Sequence, residues 1–244
     1  MGLVESVDHT MEKASQALVE TRYFDAIRFA WSALQRAHAN RDFLAMARVC
    51  LPLQEARRQV RQDALDAAER DGVTVIRHGE DLPRPLKPGA CLVTPPMIGA
   101  DGRTLSRTAQ RRRVPLFVLT REPMTRKLCW PIVGLAERSF RAYVSPPVEL
   151  PYRESYMCRD DYEGPISVEW FAAAGEQLGD AAIASVKTDL HPWWRVDDLM
   201  VAVDAVPEHE KLYQRLAEAC RDAAEIGEPA EDRRLVDGPN MYSF

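Results

Sequence analysis

Between Gly2 and Gly72 the chain has no glycine, and its only proline is Pro52. Ala, Leu, Arg, Gln and Glu dominate this stretch, and all of them lose little on entering a helix. A run of that kind has few ways to turn and no β-rich segment, so it must fold as packed helices. The spacing of apolar residues predicts four of them, at 5–20, 24–38, 42–51 and 53–70. Breaks fall at Thr21-Arg22-Tyr23, at Ala39-Asn40-Arg41 and at Pro52. A proline suits the first turn of a new helix, where its missing N–H has no partner to lose, so Pro52 is expected to open the fourth.

The second helix carries the clearest pattern. Tyr23, Ala26, Ile27, Ala30, Ala33, Leu34 and Ala37 recur at spacings of three and four, which lays one apolar stripe along one face. Ala26, Ala30 and Ala33 are small enough to let a neighbouring helix come close.

The run Tyr23-Phe24-Asp25-Ala26-Ile27, followed by Ala33-Leu34, resembles the second half of a tetratricopeptide repeat. Ala14, Ala17 and Leu18 stand where the first helix of such a repeat has small and apolar residues. The resemblance covers residues 5–70 and departs from the family at Thr21-Arg22, where the repeat has glycine. It implies a protein-binding or scaffolding role, because stacked helical hairpins present a concave face to a partner, and it makes Tyr23 a candidate partner contact.

At Asp71-Gly72 the pattern changes. Val73–Ile76 is a β-branched run and reads as a strand. Three prolines within 82–89 keep that segment an extended loop. Strands follow at 91–94 and 116–119, with a turn at Gly99-Ala100-Asp101-Gly102 and a helix at 103–113 between them. That order is a βαβ unit with parallel strands. Two more strands are expected at 129–135 and 140–145. Val93-Thr94-Pro95-Pro96 and Val144-Ser145-Pro146-Pro147 end alike, as two strands needing the same hard stop would.

Open α/β sheets bind ligands beyond the carboxyl ends of their parallel strands. That rule makes Thr94, Asp101, Thr120 and Arg121 the candidate ligand-binding residues. Arg103, Arg107 and Arg111 form a basic stripe at helical spacing. An anionic partner could use it, but the ordinary reading is a solvated face paired with acidic neighbours. His78-Gly79-Glu80-Asp81 gathers titratable groups after a strand, and a polar surface turn explains it.

The last third reads as helical. Residues 148–166 form a loop in which Tyr152, Tyr156 and Tyr162 cover apolar surface. A helix at 168–186 contains Gly175 and Gly179, which weaken it or mark a close contact. His191-Pro192-Trp193-Trp194 interrupts, with the tryptophans plugging a corner of the core. Helices at 196–205 and 207–225 follow, the second opening on Pro207.

The charge balance is 32 Lys+Arg against 37 Asp+Glu. A dedicated nucleic-acid binder would be basic, so nucleic acid is an unexpected partner. The five cysteines lack a C-x-x-C pair, which argues for reduced thiols and a cytoplasmic setting. No apolar run is long enough to cross a bilayer. The chain lacks a phosphate loop, a G-x-G-x-x-G turn, a nucleophile elbow and an H-E-x-x-H helix. No cofactor and no metal are expected.

The expectation is a mixed α and β protein. Repeat-like helical hairpins at 1–70 precede a small α/β domain at 71–147, a helical part at 148–226 packed on it, and a loose tail at 227–244. The first functional expectation is a non-enzymatic interaction or regulatory protein holding another protein. The second is a small-ligand binder or enzyme using Thr94, Asp101 and Thr120, and the third is anion or nucleic-acid contact through Arg103, Arg107 and Arg111.

Overall fold

The alanine stripe and the β-branched runs each form what their spacing dictates. The computed structural model describes residues 6–148 and 164–230. Three helices come first: α1 (Val7–Val19), α2 (Tyr23–Ala39) and α3 (Phe43–Asp71). Then come β1 (Val73–Ile76), β2 (Gly89–Val93), α4 (Gly99–Arg111), β3 (Leu116–Arg121), β4 (Trp130–Leu135) and β5 (Ser139–Val144). Helices α5 (Val168–Ala184), α6 (Pro192–Ala205) and α7 (Glu210–Ile226) close the described chain. The protein is therefore mixed α and β. The readings of Tyr152, Tyr156 and Tyr162, and of the tail beyond residue 230, lie outside the described residues.

The α1–α2 and α2–α3 turns are built alike, twenty residues apart. The Arg22 N–H donates to Ala17 O at 2.8 Å and the Asp42 N–H to Ala37 O at 2.9 Å. Thr21 and Arg41 take the positive φ (56° and 54°) that this closure needs. Ala26, Ala30, Ala33 and Ala37 are fully buried in the contact.

Pro52 does not start a new helix. It sits inside α3, which runs unbroken from Phe43 to Asp71. A proline in a helix interior costs about 3 kcal/mol. Met46, Val49 and Cys50 before it and Leu53 and Ala56 after it are all buried in one core. Burying one such aliphatic side chain is worth roughly 1.5–3 kcal/mol, so the shared face holds both halves in line.

The sheet order is β1-β2-β3-β4-β5. The first three strands are parallel, and β3, β4 and β5 are antiparallel. The strand–helix–strand unit β2–α4–β3 is as expected. Side chains alternate strictly. Ala90, Leu92, Phe117 and Leu119 join the main core, while Cys91, Val93 and Leu116 pack with Leu105 and Ala109 of α4. The main core extends without a break from Ala14 in α1 to Ala223 in α7. The first three helices therefore share their interior with the sheet and the last helices.

Three boundaries differ from the sequence reading. Gly99-Ala100-Asp101-Gly102 is the first turn of α4, because the Asp101 carboxylate accepts the Ile98 N–H at 2.9 Å. His191-Pro192 opens α6: Pro192 takes the first turn and His191 Nδ1 accepts the Trp193 N–H at 3.4 Å. Pro207 lies in the turn before α7, which begins at Glu210. Trp193 plugs the core, edge-on to Phe43 at 5.0 Å, and donates its ring N–H to Ala223 O.

Replacing Pro52 by alanine should restore one helical hydrogen bond inside α3. The expected outcome is a rise in unfolding free energy of roughly 1–2 kcal/mol, the restored bond being partly offset by a freer unfolded chain. It would be read as a higher urea midpoint at unchanged slope, and a lower midpoint would contradict this account.

Candidate functional site

Strands β3 and β4 pair at Thr120↔Val133 and Arg121↔Ile132, and the Glu122 N–H donates to Pro131 O at 2.8 Å just beyond. Toward the amino end of β3 the two diverge, and a cavity of about 190 Å³ lies beside the split. Phe117, Val118, Leu119 and Thr120 border it on one side, and Val133, Gly134 and Leu135 on the other. Helix α3 contributes Arg57 and Arg61, α4 contributes Gly102, Arg103 and Ser106, and α5 contributes Glu176. The α6–α7 turn, residues 206–209, completes the wall.

Glycines let these elements meet. A Cβ on Gly134 would lie 3.0 Å from Ala205 O and 2.8 Å from Val206 Cγ2. One on Gly179 would fall inside the His209 ring. The α6–α7 turn therefore presses directly on β4 and α5. The Tyr213 hydroxyl steadies it by donating to Pro207 O at 2.7 Å.

The cavity wall is charged although mostly shielded from solvent. Arg61 pairs with Glu176 at 2.6 Å and lies 5.2 Å over the Phe117 ring. Glu208 faces Arg57 at 3.5 Å, long for a charge-assisted bond. Arg61 Nη1, the atom that meets Glu176, also donates to the Glu208 carbonyl at 3.5 Å. His209, almost fully buried, lies 3.2 Å from Glu176 and 3.3 Å from Asp180. Five buried side-chain atoms here lack a hydrogen-bond partner: Arg57 Nε, Arg61 Nε, Glu208 Oε2 and both ring nitrogens of His209. Burial pushes the Glu208 carboxyl above the usual carboxylate range, with Arg57 and Arg61 pulling the other way. The His209 ring and Arg61 together hold Glu176 down at about 2, against the effect of its own burial.

Trp31, Arg107 and Asp204 border both this chamber and an outer groove of about 590 Å³ between α2 and α6. Asp204 stands between them, 2.5 Å from Arg103 and 3.8 Å from Arg107. Arg103 also donates to Leu135 O on the edge of the split. In the groove His38 and Arg41 converge on Asp197, at 2.7 and 2.5 Å.

No protein-family model, curated protein or solved structure matches the chain.

The residues named from the sequence are not gathered in one place. Thr120 borders the chamber with its hydroxyl against Gly102. Asp101 borders a separate hollow of about 320 Å³, shared with Leu82, Leu86 and Met97. Thr94 is buried and turned to Ile76 O at 3.4 Å. Arg121 is buried 4.4 Å over the Trp130 ring, where loss of solvent, with Arg77 nearby, lowers its pKa to about 10. Of the basic stripe, Arg103 and Arg107 pair with Asp204, and Arg111 donates to Thr108 at 3.2 Å. Tyr23 is half-buried against the core. Asp81 accepts the backbone N–H groups of Arg77 and His78, so the His78–Asp81 cluster is a polar turn.

Sequence reasoning missed Arg57, Arg61, Glu176, Glu208 and His209 as a group. One signal pointed there, since Gly175 and Gly179 mark close contacts, with Phe117 and His209. Among the described residues, no cluster of His, Cys, Asp and Glu is arranged to hold a metal ion. Burial pushes the Cys50 and Cys91 thiols up to about 12, which leaves them unreactive.

Because the fold holds Glu176 below its ordinary value, its ionised form favours the folded state. That stabilisation is present above about pH 4.5 and is lost as pH falls through about 2. Glu176→Gln should therefore flatten the acid limb of the stability curve. The loss at neutral pH should be no more than about 1–2 kcal/mol, because the half-exposed carboxylate is screened by solvent. Urea titrations from pH 7 to pH 2 check this, and an acid limb identical to wild type would refute the assignment.

Proposed function

We propose that this protein binds a small polar metabolite in the chamber between β3 and β4, with the α2–α6 groove as its approach. One observation carries the reading: the cavity is walled by the charged side chains of Arg57, Arg61, Glu176 and Glu208 and by buried His209, and five side-chain atoms of these residues have no hydrogen-bond partner. A buried polar group left unsatisfied costs about 1–3 kcal/mol. Folded proteins keep few of them, so five in the wall of one cavity mark a place kept for something other than stability. A concave site with a few convergent polar groups and a shifted carboxyl is the usual form of a ligand pocket.

Filling the chamber tests this. Ser106, half-buried on α4, borders it. In native mass spectrometry the gently purified protein should carry a small-molecule adduct, and Ser106→Phe should lose it while keeping its melting temperature within a few degrees. A wild-type protein that carries no adduct, and shifts in melting temperature with no metabolite of a broad set, would refute the proposal.

The partner-holding role implied by the tetratricopeptide resemblance is a second reading. It draws support from Leu44 and Leu51, seven residues apart on α3 and both largely exposed. That spacing puts them on one helix face, where a stacked hairpin would dock. Leu44→Asp with Leu51→Asp should abolish binding to a purified partner without lowering stability, and unchanged binding would exclude this face.

A further inference from the structure

The hollow beside Asp101 opens into the smaller of the two cores and is separate from the chamber. Strands β1 and β2 are neighbours and parallel, a pairing whose crossover is usually a helix. Residues 77–88 make this crossover without a helix, and Pro83, Pro85 and Pro88 keep them extended. Leu82 and Leu86 of this strap pack on Ile76, Cys91 and Val93, while α4 sits over β3 and β4. An extended chain is thinner than a helix, which is roughly 10–12 Å across with its side chains. About 320 Å³ therefore stays open between the strap and α4.

The walls divide into an apolar body and a cationic rim. Leu82, Leu86, Val93, Met97 and Leu105 form the body. Thr104 and Thr108 border it too, but their hydroxyls donate to the carbonyls of Ala100 and Thr104 in their own helix. Arg84 from the strap and Arg112 from the end of α4 are exposed at the rim. Neither guanidinium has an ion pair or hydrogen bond among the described residues. Asp101 also borders the hollow, where its carboxylate already accepts the Ile98 N–H at 2.9 Å. It stands at the opposite end of α4 from Arg112, roughly 16 Å away along the axis.

Ligand pockets begin at about 300 Å³, are mostly apolar and carry a few placed polar groups. This hollow has that size and that lining, and it lies beyond the carboxyl end of β2, where open α/β sheets take ligands. We propose that it binds an apolar monocarboxylate, such as a medium-chain fatty acid. The carboxylate sits at the Arg112 end of α4, where a guanidinium fork matches it, and Arg84 adds a second positive charge from the strap. The tail runs along α4 against Leu105, Met97 and the strap leucines, completing the smaller core. Asp101 at the other end repels a second carboxylate, so the ligand has one charged head.

Calorimetric titration of the full chain tests this with octanoate set against acetate, 1-octanol and octanedioate. Octanoate should bind at one site and about tenfold or more tighter than each of the others, the worth of a hydrogen-bonded charge or of a buried chain. Arg84→Gln combined with Arg112→Gln should weaken octanoate about fivefold or more while moving 1-octanol less than about threefold, because only the charged head is affected. Thr108→Phe fills the hollow and should weaken both ligands. Circular dichroism confirms that each variant is folded, and if Thr108→Phe is not, the arginine pair decides.

Equal binding of octanoate and 1-octanol, or octanoate binding unchanged by loss of both arginines, would overturn the carboxylate assignment. Acetate binding as tightly as octanoate would remove the apolar body, and octanedioate doing so would remove the single head. Octanoate binding undiminished in folded Thr108→Phe would exclude this hollow as the site. If no probe binds, the inference fails, and the chamber reading is left to its own experiment.

Discussion

Helix α3 is the member on which the other elements lean. Its apolar stripe runs from Phe43 to Ala68, and it packs on α2, on strands β2 and β3, and on α7. The stripe is mostly alanine at its carboxyl half, Ala56, Ala64, Ala67 and Ala68, so the sheet approaches closely there. The bulkier residues, Phe43, Met46, Val49 and Leu53, sit in the first half, where α2 packs and Trp193 caps the end. The unbroken passage through Pro52 follows from that double-sided contact, because neither half can turn away without exposing core.

The same helix carries two of the charged side chains of the cavity wall. Arg57 and Arg61 leave the stripe at the level of the sheet split, where β3 and β4 have stopped pairing. Two guanidinium groups in such a place are tolerable only with carboxylates beside them. The fold supplies Glu176 from α5 and Glu208 from the α6–α7 turn, two elements far from α3 in sequence. Glu176 closes a short pair with Arg61, whereas Glu208 stays at 3.5 Å from Arg57. That imbalance leaves unfilled hydrogen-bonding capacity beside Glu208.

Two other charged clusters pair within themselves. Asp25 is buried and would be raised by that burial, but Arg28, Arg113 and Arg22 hold it below its ordinary value. Arg113 thereby ties the end of α4 to α2 across 2.7 Å. Glu122 and Arg141 close a two-pronged pair at 2.8 Å on each oxygen, lacing β4–β5 to the end of β3. The described helices include none long and apolar enough to cross a membrane.

Local spacing alone determined the helical start of the chain, the alanine contact face of α2, the β2–α4–β3 unit and the buried stripe Leu212, Leu216, Ala219, Cys220 and Ala223 of α7. Periods of two and about 3.6 are written in neighbouring residues, so they can be read without knowing what packs where. The continuity of α3 through Pro52 and the opening of α6 at His191 were decided by tertiary packing, because the energy that settles them comes from distant partners. The chamber was also a tertiary decision. Its residues stand at 57, 61, 176, 208 and 209, each with an ordinary local explanation as a helix former or a helix-end charge. Only the close approach allowed by Gly134 to Ala205 and Val206, and by Gly179 to His209, brings them to one cavity, because those contacts join segments that are not neighbours in the chain.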